Sequence, residues 1–176
     1  MNKFFYPLVD NPFSNNDIKE GIKVLKSKQL TISKKTSYFE KDFSMSLKSK
    51  NSLMVNSGSS ANLLALQCLI NPYRKNRLKK NDEVIIPTLC WSTSLWPIIQ
   101  SNLKPVFVDI NPLTLNIDEK EIEKKINKKT KAILLVHVLG NSCDMDQIMR
   151  IKNKYNLILI EDTCESLGSK YKNKFL

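Results

Sequence analysis

The sequence lacks any apolar run close to the roughly 20 residues that a helix needs to span a bilayer. Residues 1–7 also lack the apolar centre of a secretory signal. Cysteine is scarce, and the four cysteines form no CxxC pair and no spacing typical of a zinc site or an iron–sulfur cluster. We therefore expect a cytoplasmic protein with reduced thiols, no metal site and no membrane partner. The cysteines are Cys68, Cys90, Cys143 and Cys164.

Arginine is also scarce, although the formal net charge is +11. Only three of the 28 basic residues are arginines, and the lysines are scattered along the chain. The densest basic cluster, residues 74–80, has no interleaved aromatic residues, whereas proteins that bind nucleic acid usually concentrate arginine and aromatic residues on one face. We therefore predict a solvated basic surface and no nucleic-acid partner. The alternative role for this charge is to attract an anionic nucleotide-linked substrate toward the protein.

The remaining composition is that of a globular chain. Hydrophobic residues make up 41% and charged residues 26% of the 176 positions, which suits one domain with a buried core. Apolar runs alternate with helical patterns from residue 52 to 162, and this order predicts an α/β three-layer sandwich with a mostly parallel sheet. Two helices are expected before it, the second capped by Ser37 with Glu40. The predicted strands cover residues 53–55, 83–87, 105–109, 131–137 and 157–162.

One stretch, residues 52–66, organises the prediction of function. Its apolar start, its small-residue turn and its helical pattern predict a strand, a tight turn and a helix in succession. Such a turn points free backbone N–H groups and the positive end of the helix dipole at one place, where a phosphate is stabilised. Gly58 would allow close approach, and the hydroxyls of Ser59 and Ser60 would add donors. The alternative is an ordinary helix N-cap without a ligand.

Two further side chains follow the ends of predicted strands, at the edge where ligands of parallel sheets bind. Trp91 could lie flat against a planar ring, or it could simply pack the first turn of a helix. Asp162 ends an apolar strand and could pair with a protonated pyridine nitrogen, or it could be a surface or capping residue. A phosphate-binding turn, an aromatic side chain that can stack on a ring and a carboxylate that can pair with a ring nitrogen together predict a site for pyridoxal 5′-phosphate (PLP).

Four motifs resemble the nucleotide-sugar aminotransferase/dehydratase family of the DegT/StrS type. They keep the family's order and spacing over nearly the whole chain. The resemblance implies the large domain of a fold type I PLP enzyme, which resembles aspartate aminotransferase, at residues 51–176 after an N-terminal helical segment at 1–50. The motifs are residues 56–62, 82–87, 105–109 and 160–168.

The resemblance assigns roles to individual residues. It implies that Gly58, Ser59 and Ser60 bind the phosphate of PLP or of pyridoxamine 5′-phosphate, that Trp91 stacks on the ring, and that Asp162 pairs with the ring nitrogen. It also places Glu165 near the ring oxygen, where aminotransferases usually have Gln, and this departure argues against the commonest aminotransferases. Residues 136–144 and 161–168 resemble the branch that removes the C3 hydroxyl of 4-keto-6-deoxy sugar nucleotides. The only histidine, His137, is expected to be a strand-end residue near the pocket rather than the catalytic base.

The resemblance also implies what residues 1–176 do not contain. The Schiff-base lysine of the family, or the histidine that replaces it in dehydratases, is expected beyond residue 176, as is the small C-terminal domain. We therefore expect an N-terminal part of an enzyme that is roughly twice as long and homodimeric, and no turnover by this part alone. The implied role is deoxysugar synthesis for surface polysaccharide such as lipopolysaccharide O-antigen.

Three readings remain open from the sequence. The first is a sugar-nucleotide PLP enzyme, either a 3-dehydratase or an aminotransferase. The second is a non-catalytic protein with the same fold that retains the cofactor-binding site and acts in binding or regulation. The third is a nucleotide-binding α/β domain in which Trp91 and Asp162 are structural.

Overall fold

The computed structural model describes residues 12–31 and 33–176, which divide into two compact units. The first unit ends at Met54, and the second runs from Val55 to Leu176. Among the described residues, no helix is both long enough and apolar enough to cross a membrane.

The first unit contains two helices, α1 (Asn15–Ser27) and α2 (Lys34–Leu47). Ser14 and Asp17 form a reciprocal capping box at the start of α1, which satisfies backbone N–H groups that the helix leaves unpaired. The prediction that Ser37 caps the second helix is wrong, because α2 already begins at Lys34. The expected partner of Ser37, Glu40, instead accepts a hydrogen bond from the backbone N–H of Met54 at 2.8 Å.

The second unit is built on a parallel four-stranded sheet with the strand order β2-β1-β3-β4. The strands are β1 (Glu83–Pro87), β2 (Lys104–Val108), β3 (Thr130–Val136) and β4 (Ile158–Asp162). Their continuous apolar runs suit a sheet that is covered on both faces. The predicted parallel α/β sheet is thereby confirmed.

Helices cover the two faces of this sheet and complete the three layers. Core residues of α3 and α4, such as Leu66 and Ile98, pack with Ile86 of β1 on one face. Core residues of α5 and α6, such as Ile122 and Ile148, pack on the other. The helices are α3 (Gly58–Ile70), α4 (Ser92–Gln100), α5 (Glu119–Lys125) and α6 (Met145–Lys154).

The two ends of the predicted order differ from the structure. The strand predicted at residues 53–55 is wrong, because no strand among residues 12–31 and 33–176 pairs with it and Leu53 is 67% exposed. Three apolar residues between polar neighbours are too few to fix a buried strand. The chain instead gains a hairpin, β5 (Lys170–Tyr171) and β6 (Lys174–Phe175), whose turn residues Lys172 and Asn173 both have positive φ.

The carboxyl ends of β1, β3 and β4 lie at one edge of the sheet, because all the strands run in the same direction. In an open parallel sheet, this edge is where ligands bind. A cleft at this edge brings together the start of α3, the start of α4 and the turn that follows β4.

Candidate functional site

Asp162, the last residue of β4, lies at the centre of the candidate site. Its Oδ2 accepts hydrogen bonds from the Asn62 side-chain amide and from the Ser94 hydroxyl, each at 2.8 Å. Its Oδ1 accepts a hydrogen bond from the backbone N–H of Cys164 at 3.1 Å. Both side-chain donors are buried. Asp162 is therefore a carboxylate held in one orientation by three donors, rather than an exposed surface residue or a helix cap.

A cleft of about 360 Å³ opens beside this carboxylate. Five of the six residues predicted to bind the cofactor line it, and only Ser60 lies outside its wall. The five were predicted from three separate stretches of the chain, and the fold brings these stretches to one place. The lining residues that were predicted are Gly58, Ser59, Trp91, Asp162 and Glu165.

The start of α3 presents backbone donors to the cleft. Ser57 is the N-cap, and its hydroxyl oxygen accepts the backbone N–H of Ser60 at 3.2 Å. Among the described residues, no group accepts a hydrogen bond from the backbone N–H of Gly58 or Ser59. A Cβ added at Gly58 would meet no atom within 4 Å. The ordinary capping function thus falls to Ser57, and two backbone donors at the positive end of the helix remain available for an anion.

Trp91 is the N-cap residue of α4, and its side chain makes no capping hydrogen bond. The side chain lines the cleft and is 72% exposed. A tryptophan that packed the first turn of α4 would bury most of this area. The indole is therefore an apolar face that the rest of this unit leaves open to the cleft.

Glu165 contacts a second loop at the same edge. Its Oε2 accepts a hydrogen bond from the backbone N–H of Leu139 at 2.7 Å. Leu139 and Gly140 both have positive φ, at 53° and 82°, in a short 3₁₀ turn after β3. A non-glycine residue in this conformation is strained, so the Glu165 carboxylate helps to hold the turn.

Sequence reasoning missed the polar residues that support Asp162. Asn62 lies four residues after Gly58, and Ser94 three residues after Trp91, so each shares a helix face with a predicted site residue. This helical spacing was a usable signal. The cleft wall is completed by Thr93, Val136 and Cys164, together with the two supporting residues Asn62 and Ser94.

The electrostatic character of the cleft is acidic. Its wall carries the carboxylates of Asp162 and Glu165, and no lysine, arginine or histidine among the described residues lines it. Burial and the negative charge of Asp162 raise the pKa of the neighbouring Cys90 thiol. A cationic ring nitrogen would therefore find a negative partner in the cleft, while the anion would be held by backbone donors at the other side.

His137, which follows β3 directly, lies outside the cleft wall and is fully buried. Its ring contacts Glu161 and the backbone of Cys143. Its location matches the expected strand-end position near the pocket.

A model of the DegT/DnrJ/EryC1/StrS aminotransferase family matches residues 13–176. The chain belongs to this family. The resemblance read from its motifs is thereby confirmed. Every predicted site residue lies within the part that matches the DegT/DnrJ/EryC1/StrS model.

Curated members of the DegT/DnrJ/EryC1/StrS family include close relatives of this chain. It is 41% identical to the GDP-4-keto-6-deoxy-D-mannose 3-dehydratase of Escherichia coli O55:H7 over 169 residues, which cover 96% of this chain and 43% of the relative. It is 38% identical to the GDP-perosamine synthase of Escherichia coli O157:H7 over 148 residues, covering 82% of this chain and 39% of the relative. The chain therefore spans less than half the length of these relatives.

The fold also matches solved structures of the family. The E. coli GDP-4-keto-6-deoxy-D-mannose-3-dehydratase with bound hydrated PLP superposes with a TM-score of 0.93 at 40% identity, over 98% of this chain and 44% of that one. The α/β sandwich of residues 55–176 is thus the fold type I, aminotransferase-like fold, as predicted. The similarity to a 3-dehydratase agrees with the branch that the motifs indicated.

Proposed function

We propose that this chain forms the cofactor-binding part of a PLP-dependent enzyme that removes the C3 hydroxyl of a GDP-linked 4-keto-6-deoxy sugar. The observation that carries the proposal is the single cleft lined by the start of α3, Trp91 and a carboxylate with three hydrogen-bond donors. The similarity to a 3-dehydratase over 96% of the chain supports the substrate class.

The residues of the cleft fit PLP or pyridoxamine 5′-phosphate. The phosphate would accept hydrogen bonds from the backbone N–H groups of Gly58 and Ser59 and from the Ser59 hydroxyl. The indole of Trp91 would cover one face of the ring. The open space at Gly58 leaves room for the anion next to the backbone.

Asp162 would hold the ring nitrogen. Asn62 and Ser94 donate to the same oxygen, Oδ2, so the orientation of the carboxylate is fixed before any ligand arrives. When bound, the cofactor supplies an electron sink for bond breaking next to the sugar carbonyl. An ion pair with Asp162 would keep the ring nitrogen protonated.

Glu165 favours dehydration over amino transfer in this proposal. It places a carboxylate where the common aminotransferases carry an amide, and this carboxylate also holds the turn at Leu139. Amino transfer at C4 is the second candidate function, and the similarity to a GDP-perosamine synthase supports it.

The proton carrier of either reaction is proposed to lie outside residues 1–176. Cleavage next to a carbonyl needs a general base within hydrogen-bond reach of the substrate. The described wall of the cleft offers neither lysine nor histidine. We further propose that the whole enzyme is a cytoplasmic homodimer that serves surface polysaccharide synthesis.

The test is an assay of the full gene product with PLP, glutamate as amino donor and GDP-4-keto-6-deoxymannose. Mass spectrometry of the sugar should find a product without the C3 hydroxyl, whereas a product with an amine at C4 would establish the second candidate. Asp162→Asn should abolish turnover, because the amide cannot form the ion pair. Cofactor binding without turnover would favour a binding or regulatory protein, and absence of cofactor binding would contradict the proposal.

A further inference from the structure

The ring of His137 has a defined tautomer. Its Nδ1 lies 3.1 Å from the backbone nitrogen of Cys143, which can only donate a hydrogen bond. Nδ1 must therefore be unprotonated, and in the neutral ring the proton sits on Nε2. Nε2 lies 3.3 Å from Oε2 of Glu161 and donates to that carboxylate. The imidazole is fully buried, while the Glu161 side chain that accepts the Nε2 proton is 31% exposed.

The backbone of His137 contacts the same strand end. Its N–H donates to the carbonyl of Asp162 at 3.3 Å, and its carbonyl accepts the hydroxyl of Ser166 at 2.8 Å. One buried residue thus contacts Glu161, Asp162 and Ser166. The short segment between these contacts contains both cleft carboxylates, Asp162 and Glu165.

His137 reaches β4 from the face opposite the cleft. Successive side chains of a strand point to opposite faces of the sheet. Leu159 packs with the core under α5 and α6, and Ile160 packs with the core under α3 and α4. Glu161 therefore points toward the α5 and α6 side, where Cys143 is buried, and Asp162 points toward the cleft.

We infer that His137 is a positioning residue for the cofactor: its Nε2–H bond to Glu161 fixes the backbone from which Asp162 reaches the ring nitrogen. The inference rests on the proposed function, since it assumes that Asp162 binds the cofactor. Asn62 and Ser94 orient the carboxylate from the cleft side, whereas His137 fixes the strand end from behind. A carboxylate held from both sides loses little freedom when the cofactor binds.

Two isosteric variants of the full gene product separate the contacts of His137. In His137→Gln the side-chain NH₂ takes the place of Nε2 and can donate to Glu161, while the acceptor for the Cys143 N–H is lost. In His137→Asn the amide oxygen takes the place of Nδ1 and keeps the Cys143 bond, while the Glu161 contact is lost. Each variant gives up one ring contact, so their melting temperatures without cofactor should fall by similar amounts.

Cofactor affinity should distinguish the two variants. Titration by absorbance should give a Kd for PLP that is raised about tenfold in His137→Asn, because this variant loses the hydrogen bond to the charged Glu161. In His137→Gln, which keeps that hydrogen bond, the Kd should rise less than about threefold. Adding Glu161→Ala to His137→Asn should raise the Kd little further, because both changes remove the same contact. Equal Kd values for the two variants, or values that simply follow the melting temperatures, would overturn the inference.

Asp162→Asn separates the failure of this inference from the failure of the proposed function. If the unaltered protein binds PLP and Asp162→Asn weakens binding, the cofactor site stands, and an unchanged Kd in His137→Asn then overturns the positioning role alone. If the unaltered protein binds no PLP, the proposed function and the inference fall together.

Discussion

Asn62 donates a hydrogen bond from its side-chain amide to the carboxylate of Asp162 over 2.8 Å, although the two residues are 100 positions apart in the chain. Asn62 lies in α3 and Asp162 ends β4, so this bond joins the helix that carries the anion donors to the strand that carries the carboxylate. This one hydrogen bond therefore connects the two sides of the proposed cofactor site.

Replacing Asn62 by Ala should weaken both the fold and cofactor binding. A hydrogen bond to a charged group contributes about 1.5–3 kcal/mol, so the melting temperature should fall. The Kd for PLP, measured by absorbance titration of the full gene product, should rise about tenfold because Asp162 loses one of its orienting donors. Gln67→Ala is the matched control, since Gln67 in the same helix donates to Ser101 and not to a cleft residue. Equal effects of the two changes on Kd would contradict this role.

A second prediction concerns the space at Gly58. Gly58→Ala should leave the fold intact, because the added Cβ meets no atom within 4 Å and Gly58 does not have the positive φ that favours glycine. The same methyl group would stand where the phosphate approaches, so the Kd for PLP should rise about tenfold, or ~1.4 kcal/mol.

Gly21→Ala provides the comparison for Gly58→Ala. Gly21 lies inside α1, and an added Cβ there also meets no atom within 4 Å. This change should raise the melting temperature slightly and leave the Kd for PLP unaltered. A Gly58→Ala protein with unaltered affinity would show that no phosphate rests against that backbone.

The fold was predictable where physical signals are local. The apolar runs of β1 to β4 could be recognised because a strand buried on both faces has no polar alternation. Residues 53–55 misled the prediction, because three apolar residues can equally lie in a connection. The hairpin at Lys172 and Asn173 was missed because lysine is not a residue that favours positive φ.

The candidate site was predictable in part for the same reason. The order of the strands and helices alone places three residues at the same edge of the sheet, because each lies at an end of a strand or a helix. These residues are Gly58, Trp91 and Asp162. Asn62 and Ser94 were missed because their importance depends on which helix face meets Asp162, and this is decided by tertiary packing. The contact of Glu165 with Leu139 depends on a strained loop conformation that no sequence pattern marks.

A third prediction separates the charge of Glu165 from its hydrogen bond. In Glu165→Gln the amide oxygen can still accept the N–H of Leu139, so the turn after β3 should keep its conformation. In Glu165→Ala the acceptor is lost, and the turn that holds Leu139 at positive φ should unfold locally more often. Hydrogen exchange measured by mass spectrometry on peptides that contain Leu139 should be about tenfold faster for Glu165→Ala and unchanged for Glu165→Gln. Equal protection in both variants would show that the carboxylate does not hold the turn.

The last prediction concerns alkaline pH. Burial, reinforced by the charges of Glu119 and Glu161, raises the pKa of the Cys143 thiol to about 12. An unfolded chain ionises this thiol near its ordinary pKa of about 8.5, so above that pH the unfolded state binds fewer protons and stability falls, by about 1.4 kcal/mol per unit until about pH 12. The free energy of unfolding should therefore fall less between pH 7 and alkaline pH in Cys143→Ala than in the unaltered protein. In Cys68→Ala, where the thiol is exposed, it should fall by the same amount as in the unaltered protein. An equal fall in Cys143→Ala and in the unaltered protein would show that Cys143 does not limit stability at high pH.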